Sequence, residues 1–84
     1  MKTNNTFKDV LIDIGHRLET LRINQGFMTS RDFANKFDLP AVHYWKMEKG
    51  KVNLTMKSLL KILAIHKMTL EDFLCMNISK TVAA

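Results

Sequence analysis

Three times along this chain a threonine is followed three residues later by an aspartate: Thr6 and Asp9, Thr29 and Asp32, Thr69 and Asp72. This spacing constrains the fold more than any other feature, because each pair marks the start of a helix. The threonine hydroxyl accepts a hydrogen bond from a backbone N–H that the first turn leaves free, and the acid favours the positive end of the helix dipole. After Thr6 the apolar residues Phe7, Val10, Leu11, Ile14, Leu18 and Leu21 recur three or four residues apart, forming one stripe on a helix. That helix is expected to fade between Asn24 and Gly26, where glycine tolerates the left-handed backbone that closes many helices.

The remaining punctuation completes an all-helical pattern. A second helix is predicted from Ser30 to about Phe37, with Phe33, Ala34 and Phe37 facing inward. Asp38-Leu39-Pro40 then breaks the chain, since aspartate can visit the left-handed region and proline fits the first turn of a helix but not its interior. A third helix is predicted from Pro40 to Glu48 with Tyr44 and Met47 on its inner edge, stopped by Gly50. Thr55 can cap a fourth helix presenting Met56, Leu59, Leu60 and Leu63, and a fifth runs from Thr69 to about Met76 with Leu70, Phe73 and Leu74 on one face. No segment alternates with the two-residue period of a strand.

Length and composition exclude several classes. Eighty-four residues allow one hydrophobic core, expected over residues 7–76, with 1–6 as a flexible arm and 77–84 as a frayed tail. With 46% hydrophobic and 25% charged residues the chain can bury a core, so it is not a disordered tail. Its most apolar stretch, Leu59 to Ile65, is interrupted by Lys61 and is far shorter than the roughly 20 residues of a membrane span. The polar start from Met1 to Thr6 does not read as a secretory signal, and a cytoplasmic location is expected. The single Cys75 allows no internal disulfide, and His16, His43 and His66 are too widely spaced to supply a metal site. There is no glycine-rich phosphate loop and no nucleophile paired with a base, so neither an enzyme nor a cofactor is expected.

Charge is distributed unevenly. The net charge is +5, yet Asp9, Asp13, Glu19, Asp32 and Asp38 all fall in the first half. Between Pro40 and Lys61, Lys46, Lys49, Lys51, Lys57 and Lys61 face Glu48 alone. Two short helices joined by a tight turn, with a basic stretch after the second, form the unit in which that second helix can enter a DNA major groove. The basic residues do not line a face opposite an unpaired apolar stripe, which argues against a membrane-surface role.

From about Ile14 to Leu74 the sequence resembles the lambda-repressor-like (Cro-type) helix-turn-helix transcription regulators. The resemblance rests on Leu18, Leu21 and Arg22, on Phe33-Ala34, on Met47-Glu48-Lys49-Gly50, and on Leu59, Leu60, Ile62 and Leu63. It implies an all-α, compact five-helix domain that regulates transcription by binding double-stranded DNA as a symmetric homodimer. It also implies that Ala41, Val42, Trp45 and Lys46 face base edges, a set whose spacing does place it on one helical face opposite Tyr44 and Met47.

Lys46 can donate to guanine or simply attract phosphate, and Ala41 and Val42 can touch a thymine methyl. Trp45 can pack on a sugar or a thymine, or sit half-buried in the core. Ser30 and Arg31 at the second helix start, with Lys49, Lys51 and Asn53 after the third, are expected to contact phosphates. Arg22 and Glu48 match family positions that commonly pair, which implies an ion pair between the first and third helices. Ala41 and Val42 stand where longer polar side chains often read bases. A second reading is therefore a protein-binding module, such as an antitoxin-like component, docking through Leu74, Cys75, Met76 and Ile78.

Overall fold

Every helix among the described residues begins at a residue that suits the position. In the computed structural model, which describes residues 6–76, the helices are α1 Phe7–Asn24, α2 Ser30–Lys36, α3 Ala41–Glu48, α4 Met56–Ile65 and α5 Leu70–Cys75. The described residues contain no strand. Thr6, Thr29, Thr55 and Thr69 each accept a hydrogen bond from the backbone N–H three residues on, at 3.0–3.1 Å. α3 lacks a side-chain cap and starts behind Pro40, which has no N–H to satisfy. The expected tail at 77–84 and all but Thr6 of the arm at 1–6 lie outside the described residues.

The helix ends share one device. After α1, α2, α3 and α4 the chain turns through a left-handed residue, Gly26, Asp38, Gly50 and Lys67 respectively. In each case the next residue returns its N–H to a carbonyl in the last turn: Phe27 to Arg22, Leu39 to Ala34, Lys51 to Lys46, and Met68 to Leu63. This six-residue closure satisfies carbonyls that the helix ends would otherwise leave open. Between α2 and α3 it also fixes the turn, with Leu39 buried and Asp38 at φ 58°.

The chain divides between Asn53 and Leu54 into two units. The first holds α1, α2 and α3, and its buried side chains are Leu18, Leu21, Phe33, Ala34, Leu39, Tyr44 and Met47. Four rings cluster there: Phe33 lies 5.4 Å from Phe27, 4.9 Å from Phe37 and 5.1 Å from Tyr44 between centroids. Such spacing suits edge and tilted aromatic contacts. The second unit holds α4 and α5, with Leu59, Ile62, Leu63 and Phe73 buried.

Periodicity overestimated the inward face of three helices. Phe7 is 64% exposed and Val10 is also exposed, Leu11 and Ile14 are half-buried, and of the α1 stripe Leu18 and Leu21 are buried. A stripe says which residues share a face; something must still cover it, and α3 and its closing turn meet α1 at Ile12 and Gly15, beyond the first turn. On α4 the buried stripe is Leu59, Ile62 and Leu63, with Met56 and Leu60 exposed, and on α5 Leu74 is exposed. Phe37 closes α2 as a half-buried cap.

Candidate nucleic-acid interface

α3 has a fixed inner side and an open outer side. Its inner side is Tyr44, Met47 and Glu48, all buried. The residues between these on the helix turn outward: Val42 is 67% exposed, Trp45 41% and Lys46 is exposed, with Ala41 half-buried at the start. Trp45 is thus not a core residue.

Two glycines hold the end of α3 against α1. Gly15 lies mid-helix in α1, and a Cβ there would collide with the carbonyl oxygen of Glu48, with Glu48 C 2.7 Å and Met47 O 2.8 Å away. Gly50, at φ 69°, brings the turn after α3 onto Ile12, whose Cα would lie 2.9 Å from an added Cβ. The absence of two side chains lets two backbones touch.

Beside these contacts lies a buried ion pair. Arg22 donates from Nε to Glu48 Oε2 at 2.8 Å and from Nη2 to Oε1 at 3.2 Å, a two-pronged match of guanidinium to carboxylate. Its Nη1 donates to the Phe27 carbonyl at 2.8 Å, and Glu19 approaches Nη2 at 3.7 Å. Both Arg22 and Glu48 are 5% exposed. Burial alone disfavours the guanidinium charge, but the hydrogen bonds and charge of Glu48 outweigh it and hold Arg22 above its ordinary pKa. Burial, reinforced by the neighbouring Glu48 carboxylate, pushes the Tyr44 phenol well above its ordinary range. Charge, ring and backbone therefore fix the orientation of α3 from its inner side.

On the outer side, the start of α2 and the first turns of α3 border an open cavity of about 280 Å³ lined by Ser30, Arg31, Ala41, Val42 and Trp45. It joins three of the four residues expected at base edges to the two expected at phosphates on α2. Lys46 is exposed on α3 but does not line the cavity. Lys49, Lys51 and Asn53 are exposed in the segment that leaves α3. Among the described residues no group of histidine, cysteine and acidic side chains could hold a metal ion, and no helix is long and apolar enough to cross a membrane.

The sequence has a relative among known proteins. The chain is 33% identical over 64 residues to the control protein C.MunI of a Mycoplasma species, a match covering 76% of this chain and 86% of that one. The chain belongs to the control-protein family. This control protein is accordingly a small helix-turn-helix transcriptional regulator. No family model and no solved structure matches it.

Sequence reasoning overlooked two parts of the control protein's scaffold. Gly15 carries a signal, since a glycine inside an otherwise strong helical stripe costs helix stability and implies close packing. The Phe27 carbonyl that completes the Arg22 site carries none, because any residue supplies a carbonyl.

Proposed function

We propose that this control protein binds double-stranded DNA sequence-specifically, as a symmetric homodimer, with α3 in the major groove. The observation that carries the reading is the two-sided character of α3: Tyr44, Met47 and Glu48 are buried, whereas Val42, Trp45 and Lys46 are presented outward. A helix held rigidly from behind can present side chains to base edges in a constant register. In this reading Ala41, Val42, Trp45 and Lys46 face the bases. Ser30, Arg31, Lys49, Lys51 and Asn53 contact phosphates on either side and set the register without reading sequence. The binding unit is residues 7–76, acting in the cytoplasm. Symmetric pairing requires two α3 helices about 34 Å apart and a roughly palindromic operator.

Selection of the purified protein against a random duplex library tests this, followed by titration of the winner and a scrambled duplex at two salt concentrations. The expected result is a palindromic winner bound at least about 1000-fold better than the scramble. Lys46→Ala should then relax preference at one position, whereas Lys51→Ala should weaken all sequences alike and reduce the salt dependence. If no motif emerges and binding disappears at moderate salt, specific readout is refuted. In that event the exposed Leu74 and Cys75 on α5, beside half-buried Met76, make partner docking the better reading; Ile78, the fourth residue of that expected surface, lies outside the described residues.

A further inference from the structure

We propose that the cavity between α2 and α3 is a seat for the 5-methyl group of a thymine in the operator, and that Val42 and Trp45 are the residues that discriminate it. The inference rests on the DNA-binding reading above and assigns a base preference to one part of that face.

The lining decides the chemistry. Ala41, Val42 and the Trp45 indole make three of the five walls apolar, and the polar pair, Ser30 and Arg31, comes from α2. None of the five is an acid, the usual acceptor for the exocyclic amino group of cytosine, and the one neutral acceptor side chain, the Ser30 hydroxyl, lies on the α2 side of the cavity rather than among its apolar walls. Nor do Ala41, Val42 or Trp45 offer the paired donor and acceptor that adenine needs. Thymine presents a methyl group in the major groove, and an apolar recess lined by short and flat side chains matches it. The charge distribution agrees with that occupant. Arg31 on α2 places a cation in the wall of the apolar recess, which suits an apolar group attached to a polyanion.

A volume of about 280 Å³ admits the edge of a pyrimidine ring together with its methyl group, rather than the methyl alone. The bulk of Trp45 on one side and the branched Val42 on the other can close on it only if they are not already committed elsewhere. Their exposures of 41% and 67% in the free protein show that apolar area remains to be covered.

The test replaces each thymine of the selected operator in turn by uracil. Uracil keeps the O4 acceptor and the pairing with adenine and removes the methyl alone. At one position of each half-site the substitution should weaken binding about fourfold, the equivalent of about 0.8 kcal/mol for one buried carbon group. Val42→Ala and Trp45→Ala should each bring the thymine-to-uracil ratio at that position close to one. Both side chains are partly or largely exposed, so folding should persist, and thermal unfolding of each variant checks that it does. A specific operator whose thymines can all be replaced by uracil without loss overturns this inference and leaves the DNA-binding reading standing. A ratio unchanged by both variants overturns it equally, because the methyl is then read elsewhere. If the library yields no specific operator, both readings fall together.

Discussion

Substituting Gly15 by alanine should destabilise the protein, although intrinsic helix preference says the opposite. In a helix interior alanine is favoured over glycine by about 1 kcal/mol. The Cβ, however, would meet the Glu48 carbonyl group and Met47 O at 2.8 Å, and these are backbone atoms that cannot rotate aside. Non-bonded atoms settle at about 3.5–4.0 Å, so the last turn of α3 must retreat by about 1 Å. Overpacking of this kind costs about 1–3 kcal/mol. The same retreat stretches the Arg22 contacts of 2.8 and 3.2 Å beyond hydrogen-bonding range, and bonds to charged groups contribute about 1.5–3 kcal/mol. Set against the propensity gain, the net loss should be about 1.5–5 kcal/mol. Urea unfolding followed by the fluorescence of Trp45, the one tryptophan, reads the change in the unit that contains it. Gly26→Ala is the comparison: at φ 95° with nothing within 4 Å, it should cost only the left-handed penalty of about 1–2 kcal/mol. A Gly15→Ala protein as stable as the parent, or more so, would show that α3 can yield without cost and would refute the account of how it is held.

Glu48→Gln keeps the shape of the side chain but leaves the buried Arg22 charge with only the longer, half-exposed approach of Glu19; unfolding free energy should fall by up to about 3–5 kcal/mol, measured in urea. Lys67→Gly should do the reverse, because φ 55° strains any residue with a Cβ; once the greater freedom of glycine in the unfolded chain is counted, a gain of about 0.5–1 kcal/mol is expected by thermal or chemical unfolding. Burial holds His66 below its ordinary pKa of 6.5. The unfolded chain therefore takes up a proton first as pH falls, so the stability gained by keeping His66 neutral is present above about pH 6.5 and is lost as pH drops through the lower folded value. Unfolding profiles at pH 7.5 and 5 should differ less for His66→Asn than for the parent.

Four helix starts were legible because the threonine caps at Thr6, Thr29, Thr55 and Thr69 bond to the backbone three residues on and need nothing from the rest of the chain, and the fifth was marked by Pro40. The turn between α2 and α3 was equally local, since Asp38 and Pro40 restrict the backbone by themselves. Burial was less legible. Phe7, Met56, Leu60 and Leu74 share a face with core residues but are exposed, because coverage depends on which other element arrives and where. At the candidate site, the split of α3 into Tyr44 and Met47 on one side and Val42, Trp45 and Lys46 on the other follows from helical spacing. The meeting of Ser30 and Arg31 with Trp45 in one cavity does not, as it depends on the angle between two helices.

The way α3 is held has an evolutionary consequence. The contacts that hold it against α1 pass through its inner face or its final turn, through Glu48 and the glycine approaches at Gly15 and Gly50, with Tyr44 and Met47 buried beside them. The outward positions 42 and 46 contribute little to that attachment, so mutations there are nearly free of folding penalty, whereas Trp45, more than half covered, tolerates replacement by another large side chain best. A lineage could drift from one operator to another by changing a few surface side chains, while the frame that aims them is inherited intact.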